Sequence, residues 1–288
     1  MKSILVVFLV LSAIEGTAQQ TEGEFHLDKE YNISANGKVD LNSSDAKVYI
    51  TGSSRKTAHV KIDRVVTTKG FTFGGRDEFS VDISEQNGDL EIKEHSNYVS
   101  VGMVGYRYES YTIKIEAPEG SSLKIKGDDG TYTITNINGA ISMQLDDADV
   151  NMVQCSGDKF RFRLDDGDLT MDEGRGSLEL EGDDSDVNIK NANFTFVEAK
   201  VDDGEMIIET SLSDDGEYRI ESQDGKISFV VTKGGGKFDI LHDDGRVITE
   251  GGFTIVEESD DRTRLALANG FARVNIRTDD SRVRLIKR

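Results

Sequence analysis

Hydrophobic and polar residues alternate in short runs along most of this chain, and a period of two predicts β-strands with one buried face. From about residue 121 the runs recur at steps of 18 to 21 residues, each after a turn that contains aspartate and a small residue. A fixed period in this range is typical of repeat proteins, in which each unit stacks on its neighbours to bury its apolar face. We therefore predict a β-solenoid with nine rungs. The rungs are marked by the first apolar residue after each turn, namely Tyr132, Val150, Leu169, Val187, Met206, Ile227, Val247, Leu265 and Val283.

A second series of turns, rich in glycine and asparagine, lies between the aspartate turns, and each is followed by another alternating strand. The run Val187-Asn188-Ile189-Lys190 shows the pattern, with two apolar side chains on one face and two polar side chains on the other. Each coil of about 19 residues therefore holds two strands and two corners. The predicted fold is all-β, a flattened two-sheet β-solenoid that resembles a β-helix.

The first residues have the features of a secretory signal peptide. Lys2 precedes an apolar run over residues 4–14, and small residues follow at positions 16–18. We assign residues 1–18 to the signal peptide. No later segment is long and apolar enough to span a bilayer, so we predict an exported protein without a transmembrane segment, in the periplasm, at the cell surface or outside the cell.

The pattern between the signal peptide and the regular repeats is looser. Residues 19–120 are predicted to form an irregular β region and cap, with an insertion of hairpins over residues 64–110. A cap is expected because an open solenoid end exposes strand edges and apolar side chains. Residues 121–288 are predicted to form the regular solenoid.

The 288-residue chain has a formal net charge of −20, which makes nucleic acid an unfavourable partner. Its single cysteine, Cys155, cannot form an internal disulfide. We expect it to be a small buried side chain in the stack.

Two segments resemble the bacterial putative-adhesin families. One is the strand Tyr111-Thr112-Ile113-Lys114-Ile115-Glu116-Ala117-Pro118-Glu119-Gly120, which ends just before the repeated coils. The other is Gly37-Lys38-Val39-Asp40 followed by Ala46-Lys47-Val48-Tyr49-Ile50-Thr51-Gly52. Those families have flattened, toast-rack-like β-solenoids similar to auto-transporter adhesin heads. The resemblance implies an exported, non-enzymatic protein whose partner is a glycan or protein of the cell surface or envelope, and it brings no catalytic residues.

The aspartate turns stack into a column along one edge of the predicted solenoid. Neighbouring carboxylates about 5 Å apart repel by roughly 1 kcal/mol per pair in water, so counter-ions must gather there. One hypothesis is a row of Ca²⁺ sites, because Ca²⁺ binds carboxylate and carbonyl oxygens. The alternative is that aspartate is simply a good corner residue that also keeps the sheets soluble. The candidate metal ligands are Asp146, Asp147, Asp165, Asp166, Asp183, Asp184, Asp202 and Asp203.

Two further surfaces are candidates for binding. A tyrosine cluster, at positions 98, 106, 108 and 111, either presents rings to a partner or packs a cap over the solenoid end. Residues 262–288 are basic, and they either dock an anionic glycan or lipid phosphate or offset the acidic column.

Enzymatic activity is not predicted. The histidines His26, His59, His95 and His242 have no metal-ligand spacing, and hydrolase motifs are absent from the sequence. Paired carboxylates are what glycoside hydrolysis uses, but here the pairs recur on nearly every coil. The main prediction is therefore a surface-binding protein with no resident cofactor. A Ca²⁺-loaded scaffold that binds acidic polysaccharide is the first alternative, and a polysaccharide-active β-helix enzyme is the second.

Overall fold

The computed structural model describes residues 19–21, 23–243 and 245–288, and within these it does not describe the side chains of residues 19–21, 71–77, 98–101 and 103. The predicted signal peptide lies outside the described residues. The described part of the chain consists of β-strands, turns and loops. The strands are β1 (Gln19–Thr21), β2 (Glu24–Asn32), β3 (Lys38–Asn42), β4 (Lys47–Ser53), β5 (Thr57–Gln86), β6 (Asp89–Pro118), β7 (Ser122–Gly127), β8 (Gly130–Thr135), β9 (Ile141–Val153), β10 (Lys159–Thr210), β11 (Glu217–Ser222), β12 (Asp224–Val231), β13 (Gly236–His242), β14 (Arg246–Glu250), β15 (Phe253–Glu258), β16 (Arg262–Leu267), β17 (Ala272–Thr278) and β18 (Arg282–Lys287).

Each coil contributes one strand to each of two parallel sheets, which confirms the predicted flattened β-solenoid. The first sheet contains β3, β7 and the first part of β9, and the second contains β4, β8 and the second part of β9. Strands β9 and β10 run through their corners without a break, so β10 alone passes through three successive coils. The register places Val150 beside Tyr132 and beside Leu169, as the first rungs of the sequence pattern predict.

The core lies between the two sheets and is formed by the alternating apolar positions. Phe160 and Phe194 pack edge to face, with their ring centroids 6.1 Å apart, and Phe229 packs on Tyr218 and Phe238 in the same way. All five rings are at most 1% exposed. Burial of such a side chain contributes about 1.5–3 kcal/mol, so the stacked rings are a major source of stability. The core also contains Cys155, at 0% exposure, as predicted.

The order of the coils at the C-terminal end differs from the sequence order. Ile227 pairs with Val283, and Val283 pairs with Val247, so the last coil of the chain lies between the coils formed by β11–β12 and β13–β14. Leu265 is not a rung, because β16 pairs antiparallel with β13 and places Leu265 opposite Phe238. The prediction of nine consecutive rungs is therefore wrong for the last three. Nothing local distinguishes a coil that continues the stack from one that is inserted into it.

A long hairpin covers the N-terminal end. It extends over residues 57–118 rather than the predicted insertion of 64–110, because β5 and β6 pair antiparallel along almost their whole lengths. Strand β6 adds to β3 in the first sheet and to β4 in the second, and β2 adds to β5. The first coil of the chain, formed by β3 and β4, is thus enclosed between this hairpin and the coil of β7 and β8.

Candidate binding surface

The aspartate corners lie along one edge of the solenoid, where each coil passes from the first sheet to the second. The register brings Asp166 beside Asp147 and Asp203 beside Asp224. These four side chains are exposed. The predicted column of carboxylates therefore exists as a surface feature.

The corner restricts the solvation of its carboxylates. Desolvation, followed by the negative charges of Asp147 and Asp184, raises the pKa of the Asp166 carboxyl above its ordinary value. Desolvation raises the pKa of Asp203 in the same way, and Asp224 is the largest of its charged neighbours. Neighbouring carboxylates therefore contribute to the raised pKa of these two groups, and a proton or a cation bound between them would reduce the repulsion.

A second acidic column, which the sequence analysis missed, lies beside the first. It contains Asp149, Asp168, Asp186 and Glu205. Its carboxylates tie successive coils together, since Asp149 accepts a hydrogen bond from the Asp168 backbone N–H at 3.3 Å and Asp186 accepts one from Glu205 at 2.7 Å. The spacing Asp-Asp-x-Asp, repeated in the corners that end at Asp149, Asp168 and Asp186, is the signal that would have found it.

The side chains of the second column change from acidic to basic toward the C-terminal end of the rod. Lys226 pairs in register with Glu205 on one side and with Arg282 on the other, and Arg282 pairs with Arg246. All three basic side chains are exposed. Of these three residues only Arg282 belongs to the predicted basic segment 262–288, so this column contains a small part of the basic charge of that segment.

The acidic side chains of the described residues do not form a metal centre as they stand. In the described part of the chain, no group of three or more His, Cys, Asp or Glu side chains is arranged to hold a metal ion. The predicted Ca²⁺ ligands lie in a row along the edge, and no three of them are close enough together to bind the same ion. Ca²⁺ binding by Asp146, Asp147, Asp165, Asp166, Asp183, Asp184, Asp202 and Asp203 stays a prediction.

A two-stranded arm projects from the same edge at the N-terminal end. Lys93 of β6 pairs with Asn42, and Thr112 of β6 pairs with Lys47. At the corner between the two sheets, the first coil therefore advances 5 residues, from 42 to 47, whereas β6 advances 19 residues, from 93 to 112. Strand β5 makes the same detour, since Asp82 and Lys93 pair in register, as do residues 63 and 112. Each strand therefore has fourteen more residues than the corner requires, and these form most of the arm, residues 67–82 paired with residues 93–108.

The arm divides the predicted tyrosine cluster. Val104, Tyr106 and Tyr108 alternate along β6 and are 68%, 57% and 64% exposed. Tyr111 lies beyond the arm, is 5% exposed and packs edge to face on Phe79 at 5.3 Å. The side chain of Tyr98 lies outside the described residues. Tyr111 is therefore a cap residue, whereas Tyr106 and Tyr108 belong to an exposed apolar strip.

A polar groove of about 430 Å³ lies at the base of the arm. Glu94 fixes the arm to the corner, because it accepts hydrogen bonds from the Ser44 backbone N–H at 2.9 Å and the Ser44 hydroxyl at 2.5 Å. The volume is within the range of small-molecule sites, and every lining residue except Gly127 has a side chain that can form hydrogen bonds. The lining residues are Asn42, Ser43, Ser44, Glu94, Ser96, Lys126, Gly127, Asp128, Gln144 and Asp146.

The histidines are dispersed, as expected. His26 contacts Asp63 at 3.0 Å, His59 contacts Asp28 at 2.7 Å, and the other two histidines lie on different strands again. Each is an isolated exposed or half-buried ring, and none lies near a second histidine or in the groove.

The fold and its surfaces define a flattened two-sheet β-solenoid with an exposed two-stranded arm. The chain belongs to the Toastrack DUF4097 family, whose model matches residues 36–285. No curated protein is significantly similar to the chain. The described residues include no helix with the length and apolar character needed to cross a bilayer.

Several solved structures are similar at low identity. A putative cell adhesion protein from Clostridium sporogenes is 14% identical over 92% of this chain and 100% of its own, with a TM-score of 0.26. A putative adhesin from Bacteroides fragilis is 10% identical over 90% of this chain and 96% of its own, with a TM-score of 0.43. A putative lipid binding protein from Parabacteroides distasonis is 10% identical over the same shares of the two chains, with a TM-score of 0.34.

Proposed function

We propose that this protein is an exported, non-enzymatic rod that binds a neutral glycan of a cell surface or envelope through the arm and the groove at its base. The observation that carries the proposal is the exposed strip of Val104, Tyr106 and Tyr108 on the projecting arm. Exposed aromatic side chains are costly to hydrate and are enriched in binding surfaces.

The chemistry of the groove supports a polyhydroxylated ligand. Amide, hydroxyl and amine groups alternate with carboxylates, so the groove offers both donors and acceptors to vicinal hydroxyl groups. Its charged residues are Glu94, Asp128 and Asp146 against Lys126. This excess of negative charge disfavours an acidic sugar and favours a neutral one.

The test is binding of the mature protein to a panel of neutral and acidic polysaccharides. The double variant Tyr106→Ser/Tyr108→Ser should lose at least about tenfold in affinity for a bound neutral glycan, which corresponds to about 1.4 kcal/mol. Gln144→Ala, in the groove, should weaken binding of the same glycan.

The matched control is Phe271→Ser, which removes an exposed aromatic ring far from the arm (81% exposed). The control should bind as the unmodified protein does. Equal loss in the control and the arm variant, or binding confined to acidic polysaccharides, would contradict the proposal. Export is tested separately, since removal of residues 1–18 should retain the protein in the cytoplasm.

A cation-loaded scaffold is the second candidate, and the raised pKa values of Asp166 and Asp203 favour it. Calorimetric titration with Ca²⁺, with and without chelator, tests it directly. Saturable binding and a higher melting temperature are expected, and a flat titration would remove the candidate.

A further inference from the structure

The two sheets of the rod have the same number of strands but are offset along its axis. Nine coils contribute one strand to each sheet. At the N-terminal end β6 and β5 extend both sheets, and β2 and β1 extend the second sheet by two more. At the C-terminal end only the first sheet is extended, by β16 and β15. Each sheet therefore has thirteen strands in the described residues, and the two ends overhang by two strands in opposite sheets.

The C-terminal overhang has an uncovered inner face. Strand β15 pairs with β16 alone, and β14 pairs with β18 alone, so each has one open edge within the described part of the chain. Val247 and Phe253, whose side chains face the core, are only partly buried. Ile255, two residues further along β15, is 57% exposed because the second sheet ends at β14.

The N-terminal overhang has the complementary shape. Here the second sheet continues past the first through β2 and β1. Leu27 on β2 and Val81 and Ile83 on β5 are also only partly buried against the core. Both ends of the rod thus present an open sheet edge beside an apolar side-chain layer that is incompletely covered.

We propose that copies of this chain associate end to end, with the C-terminal overhang of one copy seated on the N-terminal overhang of the next. In the first sheet β15 would pair with residues 79–86 of β5 in the next copy, and in the second sheet β14 would pair with β1. Strand directions fit, because β15 and β14 run parallel to the coil strands whereas β5 and β1 run antiparallel to them. Both new pairs are antiparallel, the more common arrangement. The joint is heterologous, so it generates an open filament rather than a closed dimer.

The distribution of charge along the chain favours end-to-end contact between copies over side-by-side contact. Residues 119–235, which form the middle of the rod, have 27 acidic and 11 basic residues. Residues 236–288, which form the C-terminal end, have ten of each. Two rods placed side by side bring their acidic corners together, whereas the end-to-end contact presents a neutral end. Open, apolar strand edges are normally blocked by charge, proline or a bulge. The edge strand β15 begins Phe253-Thr254-Ile255-Val256 and ends Glu257-Glu258, with a register irregularity between Ile255 and Glu257, so its apolar first half is the part that is open to pairing.

The experiment is cross-linking of two single-cysteine variants, Thr254→Cys on β15 and Ser84→Cys on β5, with a short bismaleimide. The native thiol of Cys155 is buried and does not compete. A heterologous joint predicts a cross-linked dimer when the two variants are mixed and at least tenfold less when either variant is treated alone. Comparable product from one variant alone would show an isologous contact and overturn the proposal, as would no product in the mixture.

Electron microscopy of the unmodified protein gives an independent measure. Thirteen strands per sheet at about 4.8 Å predict rods that lengthen in steps of about 60 Å, and the two-strand offset makes a single rod about 10 Å longer than one step. Ile255→Lys/Val256→Lys should reduce the population to single rods. Both side chains are exposed in the free rod, and Ile255 lies on the same face as Phe253, so the joint would bury the charge of the first lysine, while the second adds a charge at the paired edge. Tyr49→Lys, an exposed change on the outer face of the first coil, should leave the longer rods intact. Single rods at every concentration of unmodified protein would refute the joint.

Discussion

The inserted C-terminal coil makes a strong prediction about stability, because the end of the chain is not the end of the rod. Leu285 is 0% exposed and lies in register between Phe229 of one neighbouring coil and Thr249 of the other. Replacement of a fully buried leucine by alanine costs about 2–5 kcal/mol, from lost transfer energy and the cavity that remains. A leucine on a frayed terminal coil would cost much less. Leu285→Ala is therefore expected to destabilise the C-terminal half by about 3 kcal/mol.

Hydrogen exchange is the appropriate assay, since repeat proteins open in parts and a single unfolding free energy is poorly defined. In single rods, amides of β17 and β18 should exchange as slowly as those of β11 and β12, and faster exchange is expected in β14 and β15, which have open edges. Ile255→Ala is the control, because its side chain is already 57% exposed and its loss should cost under about 1 kcal/mol. Faster exchange in β18 than in β14, or equal costs for the two substitutions, would refute the inserted order.

Three further predictions concern corners, charge and the cap. Gly167 has φ +122°, and a Cβ there would lie 2.3 Å from a backbone carbonyl oxygen. Gly167→Ala should therefore reduce the free energy of unfolding in urea by about 2–4 kcal/mol, and a reduction under about 0.5 kcal/mol would contradict the geometry. Because the pKa of Asp166 and Asp203 is raised in the folded protein, the stability that these groups contribute is lost as pH rises above the ordinary aspartate range. The melting temperature of the unmodified protein, relative to that of Asp166→Asn/Asp203→Asn, should therefore increase as pH falls from neutral toward that range. High salt should shrink this increase, and a flat profile would show that the column is fully solvated. Arg64 is 3% exposed and pairs with Glu109 at 2.5 Å, so Arg64→Met should destabilise the cap by about 3 kcal/mol, measured by exchange in β2 and β5. Unchanged exchange in these strands would show that the pair does not stabilise the cap.

The sequence predicts the individual coils well and their spatial order less well. Alternation of apolar and polar residues identifies the strands, and the step of about 19 residues identifies the stack from Tyr132 to Ile227. Leu265 has the same local pattern as a true rung, yet it lies in an antiparallel hairpin. The order of the last coils is decided by which edges remain open when they fold, and this depends on non-local pairing that no local pattern encodes.

The same limit applies to the candidate site. The tyrosines can be recognised as a cluster from their spacing, but their separate roles depend on where β6 leaves the second sheet. Tyr111 lies where β6 still pairs beside the core, so it is buried. Tyr106 and Tyr108 lie a few residues earlier, where β6 pairs only with β5 in the arm, so both faces of the ribbon have access to solvent. The number of additional residues that form the arm follows only from the pairing of β6 with β3, β4 and β5.

End-to-end assembly would change how a weak groove functions. An open, polar groove of about 430 Å³ has little apolar area to bury, so a single arm is expected to bind a glycan weakly. Copies joined at their ends would repeat the arm about every 60 Å along one edge, and linked weak sites can gain 10²–10⁴-fold in overall affinity. Ile255→Lys/Val256→Lys should therefore reduce binding to a glycan-coated surface while leaving the affinity for the same soluble glycan unchanged. Surface plasmon resonance at high and low glycan density distinguishes multivalent binding to the surface from the affinity of a single arm. Equal losses on the surface and in solution would show that the substitutions disturb the arm itself rather than the joint.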